Sequence, residues 1–214
     1  MERELESSKI QLCLKPDFNL PDAFRMIDCE DRGWIEPQQL ETFVALHVKN
    51  FQVSRDDIYL FFRRYDRSKA NKMTRIEFEN AILPYSTEYQ SFLQNREEFY
   101  ASKSASAKDH FSPETESELQ EFYRALFMNL KMMESLRVRI ARRPHFSYKD
   151  AFDFCDRGKD GYLDAGDIKD MLSQFCFYAT EREVASILGK FDKDCDGRIS
   201  FHEFIDEITP KLAY

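Results

Sequence analysis

Residues that break regular structure are scarce in this sequence, which has only six glycines and seven prolines among its 214 residues. With 20 phenylalanines and 10 tyrosines beside so few breakers, the composition excludes a chain that is disordered throughout. No run of about 18 apolar residues occurs, so we expect no segment to span a bilayer. The N-terminus begins charged and lacks an apolar export core, which predicts a cytosolic protein.

Features of catalytic, secreted and nucleic-acid-binding proteins are also missing. Five cysteines, an odd number without the paired spacing of a metal site, predict reduced thiols. The net charge of −8 argues against a general nucleic-acid binder. Four scattered histidines and the lack of a glycine-rich phosphate loop give no sign of an active site. We therefore do not expect an enzyme.

Acidic side chains are concentrated at the C-terminal end of the chain. Residues 147–214 carry nine basic and 15 acidic side chains, which makes a net charge of −6 out of −8 for the whole chain. A surface of this sign attracts cations or basic partners within about 10 Å at moderate salt. The spacing of these carboxylates can therefore indicate whether they form a cation site.

A unit of helix, loop and helix recurs four times along the chain. Within the two pairs the loops start 38 and 36 residues apart, at Asp28 and Asp66 and at Asp156 and Asp192. Each loop has an apolar residue at its eighth position, namely Ile35, Met73, Leu163 and Ile199. Apolar residues at helical spacing flank the loops and predict exit helices near 36–49, 74–83, 164–178 and 200–208. These stripes also supply the core that paired units of this kind need.

The fourth loop has the composition of a calcium site. It satisfies the pattern D-x-D-x-D-G-x5-E with Asp192, Asp194, Asp196, Gly197 and Glu203. Ca²⁺ takes about six to eight oxygens, and alternating acidic positions place carboxylates around one centre while the chain curls. Gly197 allows the sharp bend. We expect Arg198 to ligate through its backbone carbonyl, Ser200 directly or through a water, and Glu203 through two oxygens.

This motif and the repeat resemble the EF-hand superfamily, and in particular the four-hand arrangement of calmodulin-like proteins. The resemblance covers about residues 20–83 and 147–208. It implies an all-α fold with two lobes, each made of two hands joined by a short antiparallel pairing at the apolar eighth positions. It also implies calcium-dependent binding of amphipathic helices from protein targets.

The sequence therefore predicts two EF-hand-pair lobes joined by a long helical connector. The N-terminal pair spans 1–85 and the C-terminal pair spans 147–214. Their loops lie at 28–39, 66–77, 156–167 and 192–203. Within the connector, 86–146, we expect a flexible stretch at 101–111 and a long helix at 113–143.

The third loop departs from the motif at two positions. Gly158 stands where a third-position oxygen is expected, and Asp167 at position twelve is one methylene shorter than glutamate. The shorter reach favours ligation through one oxygen and a smaller shell, as for Mg²⁺. We expect a weaker Ca²⁺ or Mg²⁺ site, with an empty scaffold loop as the alternative. Its ligands would be the backbone carbonyl of Tyr162 and the side chains of Asp156, Asp160, Asp164 and Asp167.

The first two loops have lost ligands. The first loop has Arg32 at position five and Gln39 at position twelve, which puts a cation and a neutral group into the ligand ring. The second loop has Ala70 at position five and Asn71 in place of the turn glycine. We expect neither loop to bind Ca²⁺ usefully. Trp34, the only tryptophan, either plugs the metal-free first loop or anchors a partner.

The predicted helix 113–143 ends in a basic segment. Residues 131–143 carry five basic side chains and one acidic one, and an apolar stripe runs along the helix. Basic amphipathic helices are the type that calmodulin-like grooves bind. The helix could therefore be a built-in target for a lobe of its own chain. The alternatives are a rigid connector packed on itself or on the N-terminal lobe, a membrane-surface helix, and a coiled coil with another chain.

Together these features predict a calcium-responsive adaptor that binds helical protein targets, with Ca²⁺ held mainly in the fourth loop. The alternative is a structural component of the cytoskeleton or cilium, in which Ca²⁺ only stabilises the fold. Three degenerate loops and the long connector favour the structural role, whereas the intact fourth loop favours the adaptor. A regulatory subunit of a phosphatase or kinase is a further variant.

Overall fold

Short helices make up most of the structure. This computed structural model describes residues 2–96 and 111–212, and in them the expected all-α fold is confirmed. Before residue 97 the helices are α1 (Glu2–Leu14), α2 (Leu20–Arg25), α3 (Pro37–His47), α4 (Arg55–Tyr65), α5 (Arg75–Ile82) and α6 (Thr87–Gln94). After residue 110 they are α7 (Pro113–Ala141), α8 (Tyr148–Cys155), α9 (Ala165–Gln174), α10 (Glu181–Phe191) and α11 (Phe201–Ile208). None of the helices in these two ranges is long and apolar enough to cross a membrane.

The strands in these ranges are two residues long and form two antiparallel pairs. They are β1 (Trp34–Ile35), β2 (Met73–Thr74), β3 (Tyr162–Leu163) and β4 (Ile199–Ser200). Ile35 lies opposite Met73, and Leu163 lies opposite Ile199. The pairing implied at the eighth positions of the loops is therefore confirmed. Each pairing joins two helix–loop–helix units through their loops.

The described residues divide into two compact units, the first ending at Met133 and the second beginning at Glu134. Helix α7 begins at Pro113, where the sequence predicts it, and ends at Ala141, slightly before the predicted end. Its first part belongs to the first unit and its last two turns belong to the second. The three-part division of the chain inferred from the sequence stays a prediction. The flexible stretch expected at 101–111 lies, apart from its last residue, outside the described residues.

Helix starts are fixed by reciprocal hydrogen bonds between residues close in sequence. In α4 the Ser54 hydroxyl accepts the Asp57 N–H at 3.2 Å, while the Asp57 carboxylate accepts the Ser54 N–H at 2.7 Å. The same capping box occurs at α10, between Thr180 and Glu183. Such caps satisfy backbone donors that the helix leaves unpaired, and replacing a capping residue with alanine typically costs about 1 kcal/mol. Local sequence therefore sets where these helices begin.

The first part of α7 completes the core of the first unit. Its Phe127 side chain is fully buried, and the ring centroid lies 6.3 Å from that of Phe51 and 5.9 Å from that of Phe61. Tyr123 lies one turn earlier, and its ring centroid is 5.5 Å from that of Phe43. Aromatic pairs contribute about 0.5–1.5 kcal/mol each beyond the burial of their area. This part of α7 is therefore an integral element of the first unit rather than a free linker.

Arg96 caps the C-terminal end of α1. Its guanidinium donates hydrogen bonds to the backbone carbonyls of Cys13 at 2.8 Å and Phe18 at 2.6 Å, and to that of Lys15. The last carbonyls of a helix have no partner within it, so a cation placed there satisfies them and complements the helix dipole. The end of the first described range is thereby fixed to the turn that follows α1.

The same turn also holds the start of α7. Asp17 accepts hydrogen bonds from the Ser112 N–H at 2.6 Å and from the Thr115 hydroxyl at 2.5 Å, and the ring centroids of Phe18 and Phe111 are 5.4 Å apart. Burial alone would raise the pKa of Asp17, but the hydrogen bonds from Ser112 and Thr115 outweigh it and lower the pKa. Asp17 therefore anchors the residues that begin α7 from a distant part of the chain, while the Ser112 hydroxyl, which accepts the Thr115 N–H at 3.4 Å, is the local cap.

Replacing Asp17 with alanine should lower the free energy of unfolding of the first unit by about 1–2 kcal/mol at neutral pH, because the start of α7 loses two hydrogen bonds to an ionised carboxylate. Since folding lowers the pKa of this carboxyl, its stabilising effect is present above the unfolded pKa of about 4 and is lost as the pH falls through the folded value. Urea unfolding followed by the fluorescence of Trp34, the only tryptophan, reports on this unit. Equal stabilities at neutral pH, or a difference that persists in strong acid, would contradict the prediction.

The second unit has a smaller core. Its buried apolar side chains are Phe152, Leu163, Ile168, Ala179, Val184, Ile199 and Phe204. A larger set of partly buried side chains packs around them, including Leu172, Ile187, Leu188, Phe191 and Ile208. The second unit therefore leaves more of its apolar surface partly accessible to solvent than a closed core would.

The last two turns of α7 are held in the second unit by a buried ionic cluster. The Arg137 guanidinium donates to the Glu207 carboxylate at 2.8 Å and to the Glu207 carbonyl at 2.7 Å. The Glu134 carboxylate lies 3.4 Å from Arg137 and accepts the N–H groups of Lys211 and Leu212 at 2.8 and 2.9 Å. A buried charge is tolerated only when it is paired in this way. The cluster therefore ties the end of α7 to the end of α11.

Candidate metal centre

The fourth loop is shaped by one buried carboxylate. Asp192 follows α10, and its two carboxylate oxygens accept the N–H groups of Asp196 at 3.2 Å and Gly197 at 2.9 Å. Gly197 has a φ of +85°, in the left-handed region that a side chain disfavours. The loop therefore curls around Asp192 through contacts between residues close in sequence.

Three predicted ligands converge in this loop. One carboxylate oxygen from each of Asp192, Asp194 and Asp196 lies within 4.8 Å of the others. Two oxygens bound to one Ca²⁺ at about 2.3–2.6 Å can be at most about 5 Å apart, so the separation fits a shared ion. Within 2–96 and 111–212, no other group of three His, Cys, Asp or Glu side chains is gathered in this way. The donors are all carboxylate oxygens, which suit a hard cation.

Glu203 is positioned by the start of α11. One of its carboxylate oxygens accepts the Lys193 N–H at 2.7 Å, and the other accepts the Ser200 N–H at 2.9 Å and the Ser200 hydroxyl at 2.7 Å. Burial alone would raise the pKa of Glu203, but these hydrogen bonds and the N–H of Asp194 outweigh it and lower the pKa. The side chain is therefore ionised at neutral pH and is held by the capping box that starts α11.

Negative charge accumulates at Asp194. The N–H of Asp196 favours its ionised form, yet desolvation and the charges of Asp196 and Glu203 outweigh that bond and raise the pKa of Asp194. A bound cation would relieve this repulsion. Arg198 directs its guanidinium elsewhere, 5.8 Å over the ring of Tyr162. Ligation by the Arg198 carbonyl and by Ser200 stays a prediction.

The sequence of this unit matches a known family. Residues 147–209 match the model of the EF-hand domain pair. This segment is an EF-hand domain pair. The matched segment contains the loops at 156–167 and 192–203, and the carboxylates of the fourth loop fit a Ca²⁺ ion. The count of four hands stays a prediction.

Several relatives align with parts of the chain. The myosin regulatory light chain LC-2 from the mantle muscle of Todarodes pacificus is 30% identical over 77 residues. Troponin C, isoform 1, of Homarus americanus is 37% identical over 57 residues, and the probable calcium-binding protein CML20 of Arabidopsis thaliana is 31% identical over 65. These alignments cover 36%, 27% and 30% of this chain and 48%, 38% and 38% of the respective relatives. The chain thus spans less than half the length of these relatives, and none of the three names is that of an enzyme.

A solved structure from Leishmania major Friedlin, described as a homolog of programmed cell death 6 protein, also aligns with the chain. The sequences are 15% identical, and the alignment covers 91% of this chain and 76% of the other, with a TM-score of 0.28. At this TM-score the likeness carries no conclusion about fold or function.

The third EF-hand loop repeats the arrangement of the fourth with fewer donors. Asp156 is buried and accepts the Gly161 N–H at 2.9 Å. Asp164 and Asp167 cap each other at the start of α9, with N–H···O distances of 3.1 and 2.9 Å. Gly158 adds no carboxylate, and the acidic groups of this loop do not converge as those of the fourth loop do. The ligand set of this loop stays a prediction: Asp156, Asp160, Tyr162, Asp164 and Asp167.

In the first loop, side-chain cations neutralise the acidic groups that would face a metal in an EF-hand. The Arg32 guanidinium pairs with Glu30 and lies 3.7 Å from the Glu36 carboxylate. Lys72, from the second loop, lies 4.0 Å from Glu36 and 4.5 Å from the ring centre of Trp34. The Trp34 indole N–H also donates to Glu36 at 3.4 Å, which favours a plug over a partner anchor. This arrangement supports the predicted loss of calcium affinity.

The second loop keeps the shape of an EF-hand loop although its ligands are incomplete. Asn71 has a φ of +56° where the fourth loop has glycine, and its N–H donates to Asp66 at 2.7 Å. Glu77 accepts the Thr74 N–H at 2.9 Å, as Glu203 accepts that of Ser200 in the fourth loop. The shape is therefore held by hydrogen bonds from the backbone to carboxylates, which need no ion.

The sequence analysis did not single out two lysines that lie within the loops and contact acidic side chains there. Lys72 neutralises Glu36 across the β1–β2 pairing. Lys193 lies 3.3 Å from the Glu207 carboxylate, while its N–H holds Glu203. Lys72 is the seventh residue of the second loop, and the β1–β2 pairing brings that position beside the first loop. The position of Lys72 in its loop could therefore have indicated the contact with Glu36.

Proposed function

We propose that this EF-hand protein is a calcium-responsive adaptor, in which Ca²⁺ binds in the fourth loop and the C-terminal pair then binds a helical segment of a protein target. The convergence of Asp192, Asp194 and Asp196 beside an ionised Glu203 carries the proposal. These side chains supply most of the six to eight oxygens that Ca²⁺ takes. The third loop would hold a second Ca²⁺, or Mg²⁺, with lower affinity.

Apolar side chains that a target could cover are concentrated in the C-terminal pair. Phe175, Phe177 and Tyr178 are exposed between α9 and α10, and the ring centroids of Phe154 and Phe175 are 6.4 Å apart. In sensor proteins, Ca²⁺ changes the angle between the helices of a hand and exposes further apolar groups. A basic amphipathic helix would also complement the net charge of −6 carried by residues 147–214. The C-terminal pair is therefore the proposed target-binding module.

Helix α7 is the proposed built-in target of the first unit. Its buried face there consists of Leu119, Phe122, Tyr123, Leu126, Phe127 and Leu130. Lys131 adds an ion pair with the buried Asp57 carboxylate at 3.0 Å. Anchors at this spacing are how an amphipathic helix binds in an apolar groove. An external helix could bind at this place only by displacing α7.

A structural role is the second candidate function. It is favoured by the first loop, where Arg32 and Lys72 already neutralise the acidic side chains, and by the burial of α7 in the first unit. In that case Ca²⁺ would only stabilise the C-terminal pair, and the protein would be a non-catalytic component of an assembly such as the cytoskeleton or cilium. A cytoplasmic location is proposed for either function.

The fluorescence of an apolar dye distinguishes the two functions in the full chain. The adaptor should give a large rise in dye fluorescence when Ca²⁺ is added, and the Glu203→Gln variant should not. A synthetic leucine–lysine peptide that forms an amphipathic helix should then bind only in the presence of Ca²⁺. Calorimetric binding of Ca²⁺ without a rise in fluorescence and without peptide binding would contradict the adaptor and favour the structural role.

A further inference from the structure

Lys193 joins the two helices that flank the fourth loop. It is the second residue of the loop, and its ammonium donates to the Lys190 carbonyl, in the last turn of α10, at 2.9 Å. The same ammonium lies 3.3 Å from the carboxylate of Glu207, in the last turn of α11. The backbone N–H of Lys193 donates to Glu203, one turn earlier on α11, at 2.7 Å. Both the side chain and the backbone of Lys193 therefore attach the end of α10 to α11.

Arg137 binds the other oxygen of the Glu207 carboxylate. Its guanidinium donates to Glu207 Oε1 at 2.8 Å, whereas the Lys193 ammonium faces Oε2. A second guanidinium N–H donates to the Glu207 carbonyl at 2.7 Å, and the Glu134 carboxylate lies 3.4 Å from Arg137. Glu207 and Arg137 are both buried, and buried charges need partners of this kind. Arg137 therefore positions the carboxylate that Lys193 contacts.

These contacts stabilise one angle between α10 and α11. The Lys193 ammonium is fixed to the end of α10, while Glu207 belongs to α11, so a change of the angle would separate the two charges. In sensor EF-hands, calcium binding changes the angle between the two helices of a hand. An ion pair that forms in only one of two conformations stabilises that conformation relative to the other. The pair therefore favours the described arrangement of the two helices over an opened one.

We propose that Lys193 and Glu207, with Arg137 positioning the carboxylate, form an ionic latch that opposes the opening of the fourth loop's two helices and so lowers the calcium affinity of that loop. The inference rests on the calcium-dependent opening proposed above for the C-terminal pair. Calcium and the latch then favour different arrangements of the same helices, and each weakens the other by the same factor. The Lys193 side chain is 46% exposed, so solvent screens the pair and the factor is small, about three- to fivefold.

Calorimetric titration of the full chain with Ca²⁺ tests the latch. Lys193→Met keeps most of the length of the side chain but removes the ammonium, and it should raise the calcium affinity of the fourth loop by about three- to fivefold. Arg182→Met is the matched control, because Arg182 is exposed at the start of α10, at the far end of the helix from Lys193. This variant removes the same charge without touching the latch, and its affinity should equal that of wild type within about twofold.

Glu207→Gln separates the latch from the simple effect of charge near the loop. If only the local charge mattered, removing this anion would weaken calcium binding. Loss of the latch should instead strengthen it by about twofold. The double variant with Lys193→Met should bind no more tightly than Lys193→Met alone, because either substitution already breaks the same contact.

Three results would overturn the latch while leaving the proposed function standing. They are equal affinities of Lys193→Met and Arg182→Met, weaker binding by Glu207→Gln, and additive gains in the double variant. A wild-type chain that binds no Ca²⁺ would overturn the proposed function and the latch together. Circular dichroism checks that each variant keeps its helical content. If Glu207→Gln loses it, the comparison of Lys193→Met with Arg182→Met decides, because both of these replace side chains that reach solvent.

Discussion

Replacing Glu203 with glutamine should lower the affinity of the fourth loop for Ca²⁺ by about 100-fold, because the carboxylate that we predict to ligate through two oxygens becomes a neutral amide with one oxygen. The variant should still fold, since the amide oxygen can accept the Ser200 N–H that the carboxylate now accepts at 2.9 Å. Titration of the full chain with Ca²⁺ in a calorimeter measures the change. Any binding that remains would be assigned to the weaker site that we predict in the third loop.

Glu181→Gln is the matched control for this experiment. Glu181 is exposed at the start of α10, so the substitution removes the same charge from the same unit without touching the loop. Its calcium affinity should equal that of wild type within about twofold, because exposed charges are screened by salt. An equal loss of affinity in both variants would assign the effect to net charge, and no loss in Glu203→Gln would contradict the assignment of Glu203 as a ligand.

Truncating Phe127 to alanine should lower the free energy of unfolding of the first unit by about 3–5 kcal/mol. The side chain is fully buried, and its removal leaves a cavity between the rings of Phe51 and Phe61 that the surrounding helices can fill only in part. Urea unfolding followed by Trp34 fluorescence measures the loss in this unit alone, which matters because a chain with two units need not unfold in one step.

The neighbouring residue supplies the control for Phe127. Met128 belongs to the same turn of α7 but is half exposed, so Met128→Ala should change the stability of the first unit by less than about 0.5 kcal/mol. Similar losses in the two variants would mean that helix propensity, rather than packing, governs the result. A loss below about 1 kcal/mol for Phe127→Ala would contradict the view that α7 is part of this core.

Local chemistry explains which elements could be predicted from the sequence. The fourth loop was predictable because its ligands, its glycine and its capping residue lie within twelve consecutive positions. The start of α7 at Pro113 was equally clear, because proline and acidic residues in a first turn favour a helix start. The strand pairing was implied by the resemblance to EF-hand proteins, and the structure has it at the apolar eighth position of each loop.

The elements that were missed depend on contacts between distant residues. Helix α1 was not predicted, although Leu5, Lys9, Leu12 and Cys13 are buried at helical spacing. A lysine on the buried face hides the pattern, and Lys9 is accommodated there by contacts with distant residues, such as the hydrogen bond from its ammonium to the Leu83 carbonyl at 3.1 Å. The sequence also did not decide which lobe α7 packs against, because its apolar stripe would suit either one.

The ionic cluster in the second unit illustrates the same limit. The basic end of helix 113–143 was interpreted as part of a built-in target for a lobe, without a buried ion pair, whereas Arg137 is buried and its guanidinium is bound by Glu207 and Glu134. A charged residue is almost never buried without such partners, and no pattern within α7 indicates a partner 70 residues away. Burial of this arginine follows from the fold and could not have been read from the helix itself.

The turn between α1 and α2 binds both Arg96 and the start of α7, although these lie 78 and 95 positions away along the chain. The entropic cost of closing a loop grows slowly with its length, by about 0.6 kcal/mol for each doubling. The long separation in sequence therefore weakens the attachment of α7 to this turn only slightly.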